Sequence, residues 1–195
     1  MPWRAFLFFA SILTFGCKSP SDTPPTRTDK VKAVAEQYFA TFADRSDWEK
    51  LLSFYREDMR LEDVLLQIQL DSLWQFERFY KWDDEGENFK KLTPDQDHLT
   101  IRSLIANDSV AVGYGRVNPF YYYDRLVDVE WGMQATFFLY FDEDLKIKKQ
   151  VDWIEYDPDV MQSVIDRFRK QGVDVPPDWL DLSKSMFPDL LILNN

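Results

Sequence analysis

The stretch that decides the fold lies between residues 127 and 156. Residues 127–141 read VDVEWGMQATFFLYF, residues 142–146 read DEDLK, and residues 147–156 read IKKQVDWIEY. The side chains of both outer segments follow the two-residue period of a β-strand that buries one face. The acidic triplet Asp142-Glu143-Asp144 is typical of a turn. The stretch therefore predicts a hairpin of two antiparallel strands.

The same period begins at His98 and predicts two further strands, over residues 99–105 and 110–117. Asn107-Asp108 is a turn signal between them. Because the connections are short, the four strands should form an antiparallel meander. A cluster of three tyrosines, residues 121–123, interrupts the meander and predicts a longer hairpin.

Helices are predicted ahead of this sheet. In residues 31–43 the apolar side chains recur at three- and four-residue steps, so they share one face of a helix. A second helix is predicted from Ser46, because Ser46 and Glu49 have the spacing of a capping box.

A short strand over residues 59–66 precedes a third predicted helix over residues 73–82, which Asp71 or Ser72 can cap. Helices followed by one curved antiparallel sheet make an α+β fold. The expected shape is a cone, lined by alternate strand residues and by the inner face of the first helix. A last helix and a packed tail, residues 159–195, should form a C-terminal helical extension.

The N-terminus resembles a bacterial lipoprotein signal. Residues 1–16 carry one positive charge, Arg4, and an apolar run too short to cross a bilayer. The resemblance implies that Cys17, the only cysteine, is lipidated and becomes the first mature residue. An ordinary secretion signal and a short membrane anchor remain the alternatives. Residues 17–30 should be a flexible tether, and the protein is expected in the bacterial cell envelope, with the outer membrane favoured.

Composition excludes several classes of function. The formal net charge of −11 repels phosphate backbones, so nucleic acid is not an expected partner. A single histidine and a single cysteine provide no cluster for zinc or iron, and a glycine-rich phosphate loop is missing, so neither a metal nor a cofactor is expected. Abundant aromatic residues (16 Phe, 9 Tyr and 7 Trp) suit the lining of an apolar cavity.

Several short motifs, taken in order and spacing, resemble the NTF2-like superfamily, which includes ketosteroid isomerases and SnoaL-like cyclases. The motifs are Ser46-Asp47-Trp48-Glu49 through Tyr55, Arg60-Leu61-Glu62-Asp63, Phe76 to Tyr80, Tyr140-Phe141-Asp142-Glu143-Asp144, Lys146-Ile147 and Trp153. The resemblance covers about residues 31–158, which should form the NTF2-like domain.

The resemblance also implies catalytic roles. Asp63 stands where the isomerases carry the carboxylate that moves a proton next to a carbonyl, and Tyr38 falls near the tyrosine that donates to the developing oxyanion. Phe137 takes the place of the second oxyanion donor, and Val64 replaces the usual proline. In an apolar cone the pKa of the Asp63 carboxyl would rise toward the range of a general base.

Each candidate also has a structural interpretation. Asp63 can instead cap the third helix, bind backbone amides or face solvent, and Tyr38 can be an ordinary core tyrosine. His98 is expected at the start of a strand, in solvent. Asp152 and Glu155 lie on opposite faces of the last strand, so one of them should point inward.

We therefore expect a membrane-anchored NTF2-like domain that binds a small apolar ligand or an envelope partner protein. The expected ligand-binding residues are Tyr38, Phe42, Tyr55, Asp63, Phe137 and Trp153. One alternative is an isomerase-like or SnoaL-like enzyme with Asp63 as general base, and another is a structural envelope protein whose cone is filled by its own side chains. Superfamily members also use the sheet face to dimerise, which makes a homodimer an option here.

Replacing the lipid-accepting residue tests the membrane anchor. Cys17→Ser should move the protein from the membrane to the soluble fraction, because the chain has no basic patch that would bind anionic lipid in its place. The measurement is cell fractionation followed by immunoblotting, with Ser19→Ala as the control. Continued membrane attachment of Cys17→Ser would contradict lipidation.

Overall fold

A computed structural model describes residues 24–65, 68–81, 89–122, 125–128 and 132–155. The predicted signal, Cys17 and the predicted C-terminal extension lie outside these residues. The elements, in chain order, are α1 (Arg27–Asp44), α2 (Trp48–Ser53), β1 (Tyr55–Asp63), β2 (Ile68–Leu70), α3 (Leu73–Lys81), β3 (Phe89–Lys91), β4 (Leu99–Ala106), β5 (Val110–Val117), β6 (Phe120–Tyr122), β7 (Arg125–Val127), β8 (Met133–Phe141) and β9 (Ile147–Ile154).

The main sheet has six strands in the order β2-β1-β9-β8-β5-β4, and the predicted α+β class is confirmed. The meander β4-β5-β8-β9 is antiparallel, as predicted. The sheet as a whole is mixed, because β1 runs parallel to β9. Short turns fix the direction of strands that follow each other in the chain, but no hairpin links β1 to β9, so the turns could not predict that direction.

Helix α1 packs its apolar face on the inner side of the sheet. It begins four residues before the predicted Val31, because Thr26 forms a capping box with Asp29. The buried residues on its inner face include Val31, Ala35, Tyr38, Phe39 and Phe42. Within the residues described here, no helix is both long enough and apolar enough to cross a membrane.

The start of α1 is tied to two turns of the sheet by the guanidinium of Arg27. Its Nε donates to the carbonyl oxygen of Asp108 at 2.8 Å, in the β4–β5 turn. Its Nη1 and Nη2 donate to the carbonyl oxygens of Glu143 at 3.0 Å and Asp142 at 2.5 Å, in the β8–β9 turn. One side chain therefore holds the helix start against both hairpins.

Two predicted helix caps have different outcomes. The cap of α2 is Asp47, whose carboxylate accepts from the backbone N–H of Lys50 at 2.9 Å, so the predicted capping box at Ser46 is wrong. The hydroxyl of Ser46 donates instead to the carboxylate of Asp44. At α3, Ser72 accepts from the backbone N–H of Gln75 at 3.3 Å, which confirms one of the two predicted caps.

The predicted strand over residues 127–141 is broken. Strand β7 ends at Val127 and β8 begins at Met133, just after Gly132, which has a φ of +74°. Glycine adopts this left-handed conformation without steric penalty, which suits the position directly before the start of β8. Strands β3, β6 and β7 form a separate three-stranded sheet. The antiparallel pair β6–β7 lies where the longer hairpin was predicted, but only two residues separate its strands.

Two glycines of β5 let neighbouring groups come close to the strand. A Cβ on Gly113 would lie 2.5 Å from Cζ of the Phe39 ring, and a Cβ on Gly115 would lie 2.0 Å from the carbonyl oxygen of Thr100. The ring of Phe39 therefore rests directly on the backbone of β5. Both glycines are buried, and their lack of a side chain is a packing requirement.

Alanine at these glycines should destabilise the domain to different degrees. Gly113→Ala should cost about 1–3 kcal/mol, because the Phe39 ring must shift. Gly115→Ala should cost about 3 kcal/mol or more, because the clash is with backbone that cannot rotate away. Urea unfolding measures both, and Phe39→Leu should restore stability to Gly113→Ala alone. Equal rescue of both variants would contradict this packing.

Candidate functional site in the sheet interior

Three adjacent strands place two acids and an aromatic ring in one row on the inner face of the sheet. Asp63 of β1 is the register partner of Asp152 of β9, and Asp152 is the register partner of Phe137 of β8. Register partners project from the same face of a sheet, so the three side chains are neighbours. Asp63 is 1% exposed and Asp152 is fully buried. The interpretation that Asp63 faces solvent is therefore excluded.

The Asp152 carboxyl accepts hydrogen bonds from two side chains. Nε2 of Gln150 lies 2.9 Å from its Oδ1 and 3.0 Å from its Oδ2, and the hydroxyl of Tyr80 donates to Oδ2. Gln150 is two residues before Asp152 on β9 and so shares its face, while Tyr80 reaches down from α3. The carboxyl of Asp152 is therefore hydrogen-bonded both by a residue of its own strand, β9, and by a residue of α3.

Gln150 connects this carboxyl to two buried tyrosines. Its Oε1 accepts from the hydroxyl of Tyr38 at 2.9 Å and from that of Tyr55 at 2.5 Å, and the two hydroxyls are 2.7 Å apart. Burial raises the pKa of both tyrosine hydroxyls well above 10.0; the charge of Asp152 adds to it for Tyr38, and the neighbouring Tyr38 adds to it for Tyr55. Both tyrosines therefore stay protonated at neutral pH and act as donors.

Burial raises the pKa of Asp152 from 3.8 to about 8. The hydrogen bond from Tyr80 opposes the shift, and the negative charge of nearby Asp63 adds to it. Two carboxyl groups at one site cannot both ionise easily, so one of them tends to keep its proton. Asp152 is therefore largely a neutral acid at neutral pH.

Aromatic rings surround the polar chain, by which we mean the hydrogen-bonded side chains of Asp152, Gln150, Tyr38, Tyr55 and Tyr80. Phe76 of α3 lies 4.5 Å from Tyr55 and 4.8 Å from Tyr80, measured between ring centroids. Phe42 of α1 meets Tyr80 edge to face at 5.2 Å. These apolar walls provide the low-dielectric surroundings that strengthen both the hydrogen bonds and the pKa shifts.

Comparison with solved structures identifies the fold. A protein assigned as a SnoaL-like polyketide cyclase from Shewanella putrefaciens CN-32 superposes with a TM-score of 0.52 at 16% identity, over 71% of this chain and 97% of that one. Another with the same assignment, from Shewanella denitrificans OS-217, gives a TM-score of 0.51 at 15% identity, over 71% and 98%. The chain has the NTF2-like fold. A protein assigned as a ketosteroid isomerase from Kribbella flavida DSM 17836 is 21% identical over 68% of this chain and 84% of that one, with a TM-score of 0.49. No family model and no curated protein matches the sequence.

Five of the six predicted ligand-binding residues lie in the interior of the NTF2-like fold. They are Tyr38, Phe42, Tyr55, Asp63 and Phe137, each at most 5% exposed. Trp153 does not join them, because it follows Asp152 directly on β9 and so points to the opposite face, where it is 49% exposed. Of the two acids on the last strand, Asp152 points inward and Glu155 is exposed.

The predicted catalytic pair is not in direct hydrogen-bond contact. The hydroxyl of Tyr38 reaches Gln150 and Tyr55, and Gln150 carries the connection to Asp152, the strand neighbour of Asp63. The prediction that Asp63 and Tyr38 are catalytic stays a prediction.

Neither Gln150 nor Tyr80 was predicted as a site residue, although Tyr80 ends one of the motifs that carry the family resemblance. Gln150 has the same strand parity as Asp152 and Ile154, all three of which are buried, so a polar residue at an inward position was the available signal. Tyr80 follows Phe76 by four residues and so shares its helix face. Neither pattern reveals which partner the side chain reaches.

His98 is buried, so the prediction that it lies in solvent is wrong. It precedes β4 directly and packs between Phe42 and Phe120, at centroid distances of 6.1 and 5.3 Å. Burial, then the positive charges of Arg45 and Lys91, lower the pKa of the imidazole well below 6.5. Among the side chains that the structure describes, no group of three or more His, Cys, Asp or Glu could hold a metal ion.

The buried acid should make stability depend on pH. Since the pKa of Asp152 is about 8 in the folded chain and 3.8 when unfolded, the folded state holds the proton over this range. The stabilisation that protonated Asp152 contributes should fall by roughly 2–4 kcal/mol as the pH rises from about 5 to about 8, whereas the contribution of His98, whose pKa is lowered, rises over the same range. Urea unfolding at both pH values checks this.

Asp152→Asn should abolish most of that pH dependence, because asparagine does not titrate. Glu155→Gln removes an exposed acid from the same strand end and should leave the dependence unchanged. The same pH dependence of stability in Asp152→Asn as in the wild type would show that Asp152 is not held as a neutral acid.

Proposed function

We propose that this NTF2-like domain binds a small, largely apolar molecule in its interior, with a carbonyl or hydroxyl oxygen of the molecule directed at Asp152. The observation that carries the proposal is the pair of carboxyls, Asp63 and Asp152, side by side and almost fully buried among aromatic rings. A protein that needed only a stable core would gain more from apolar side chains at these positions.

The polar chain supports recognition of a single oxygen. Protonated Asp152 is both a donor and an acceptor, and the hydroxyl of Tyr80 already points at it. The rings of Phe42, Phe76 and Phe137 offer apolar surface around it. Because Phe76 and Tyr80 belong to α3, a ligand at Asp152 would require these rings to move aside. A buried carboxyl pair suits a small molecule better than the surface of an envelope protein.

Proton transfer is the second candidate function, and the pKa of about 8 for Asp152 favours it. An acid that keeps its proton next to a second carboxyl is the arrangement that general acid–base catalysis uses near neutral pH. Asp63 would act as base and Asp152 as acid, on a substrate with an acidic C–H next to a carbonyl. This would be an isomerase-like or cyclase-like reaction.

Lipidated Cys17 would place this activity at a membrane of the bacterial envelope. The tether of residues 17–30 would let the domain reach molecules within a few nanometres of the surface. An apolar ligand partitions into or near the bilayer, which agrees with binding at that location.

Ligand binding can be tested with a solvatochromic dye and a steroid-like competitor. The wild-type domain should bind the dye saturably and release it to the competitor. Asp152→Asn removes the titrating acid and should weaken the competitor about tenfold, a loss of about 1.4 kcal/mol, while Glu155→Gln binds like wild type. Absence of saturable binding by the folded wild-type protein would contradict the proposal and favour a self-filled structural core.

The same variants separate binding from catalysis. With an enolisable ketone as substrate, Asp63→Asn should keep binding but lower turnover at least about 100-fold, the usual contribution of a general base. Dye binding without detectable turnover in the wild-type protein would leave the binding proposal in place and remove the catalytic one.

A further inference from the structure

The side-chain amide of Gln150 has a fixed orientation in the interior of the sheet. Gln150 is fully buried on β9, and its Oε1 accepts from the hydroxyl of Tyr38 at 2.9 Å and from that of Tyr55 at 2.5 Å. An amide oxygen has two lone pairs, so two hydroxyl donors can occupy both of them. If the amide were turned end for end, its N–H groups would point at these hydroxyls, and Oε1 would no longer accept their hydrogens. The two tyrosines therefore keep Oε1 on their own side.

The other end of the amide then faces Asp152. Nε2 of Gln150 lies 2.9 Å from Oδ1 and 3.0 Å from Oδ2 of this fully buried carboxyl. An N–H donor favours the ionised form, because a carboxylate only accepts hydrogen bonds. The hydrogen bond from Gln150 accordingly lowers the pKa of Asp152, against the larger effect of burial. In the opposite orientation Oε1 would face the carboxyl and would favour the protonated form, which can donate to it.

The other groups that face Asp152 come from each element packed around it. After burial, the hydroxyl of Tyr80 on α3 lowers the pKa of Asp152, and the negative charge of Asp63 on β1 raises it. Phe137, its register partner on β8, is apolar. The tyrosines of α1 and of the start of β1 reach the acid through Gln150. This amide is therefore the hydrogen-bonded contact by which those two tyrosines influence the proton of Asp152.

We propose that Gln150 is a positioning residue of the interior site: held by two tyrosine hydroxyls, it directs its N–H groups at Asp152 and makes the proton of that acid easier to release. This role rests on the proposed function in one respect, which is that Asp152 is the group that meets an oxygen of the ligand. A protonated carboxyl can donate to that oxygen, whereas an ionised one cannot. Gln150 therefore sets the upper end of the pH range in which the acid donates to a ligand.

A ¹³C NMR titration of the side-chain carboxyls tests the direct contact. The signal of Asp152 is the one that Asp152→Asn removes. Gln150→Met keeps the length of the side chain and removes its donor and its acceptor. The midpoint of the Asp152 titration should therefore rise by about one pH unit above the wild-type pKa of about 8.

The matched control is Gln134→Met, which should titrate like wild type. Gln134 also accepts from a tyrosine hydroxyl, that of Tyr114, but it alternates with the buried residues of β8 and so lies on the opposite face of the sheet. An unchanged or lower midpoint in Gln150→Met would overturn the proposal, since a loss of packing alone admits water and lowers the pKa of a buried acid.

Replacing the two tyrosines tests the orientation of the amide. Tyr38→Phe/Tyr55→Phe leaves both side-chain partners of Asp152 in place, yet should raise its midpoint, because the amide is then free to turn. In Gln150→Met the same two replacements should leave the midpoint unchanged. This double-mutant cycle separates an effect transmitted by the amide from a general effect of the tyrosines. An unchanged midpoint in the tyrosine variant, or an equal rise with and without Gln150, would overturn the proposal. Gln150→Leu replaces Gln150→Met if the latter does not fold.

Binding of the steroid-like competitor, measured on the same proteins across the pH range, tests the link to the ligand. Wild-type affinity should fall as the pH passes about 8, and in Gln150→Met this fall should move to higher pH together with the NMR midpoint. A fall that stays in place while the midpoint moves would overturn the link. A wild-type protein that shows the expected midpoints but binds no competitor would remove the proposed function and leave the action of Gln150 on Asp152 supported.

Discussion

The parallel pairing of β1 with β9 is the constraint on which the interior site depends. Its register sets Asp63 beside Asp152, and the backbone N–H of Val64 donates to the carbonyl of Asp152 at 2.9 Å, which continues the pairing beyond the end of β1. A shift of one residue would turn one of the two acids to the outer face. The raised pKa of Asp152 includes a contribution from Asp63 and therefore depends on this register.

The polar chain around Asp152 shows how a buried acid is tolerated in an apolar interior. Gln150 uses both ends of its amide, accepting from two tyrosines and donating to the carboxyl. Hydrogen bonds in such a chain strengthen one another where water is excluded. The tyrosines of this polar chain lie on three different elements: Tyr38 on α1, Tyr55 on β1 and Tyr80 on α3. The polar chain can therefore form only when these elements have packed together.

Local patterns in the sequence were sufficient for the meander, for most of α1 and for the family resemblance. The bounds of β5 follow from its alternation, and the body of α1 follows from the spacing of its apolar residues, whereas the start of α1 depends on the cap at Thr26. The direction of β1 was not accessible, because a distant pairing leaves no local signal. The break before Met133 depends on the backbone of Gly132, and the burial of His98 depends on packing with Phe42 and Phe120.

The candidate site could be predicted only in part, because some of it depends on contacts between elements that are distant in the sequence. Strand parity predicts that one of the two late acids faces inward. Asp63 and Phe137 were found through the family resemblance, which left the orientation of Asp63 open. Contacts between elements could not, and these decide that Gln150 lies between Tyr38 and Asp152. Trp153 suited an aromatic lining by its type, but parity puts it on the outer face.

Arg27 gives the fold a mechanical property. If the chain is tethered through Cys17, any pull from the membrane enters the domain at the start of α1. The three hydrogen bonds from Arg27 to the carbonyls of Asp108, Asp142 and Glu143 would spread that load over both hairpin ends of the sheet. The load would then act on these bonds together, in parallel, before the first helical turn could unravel.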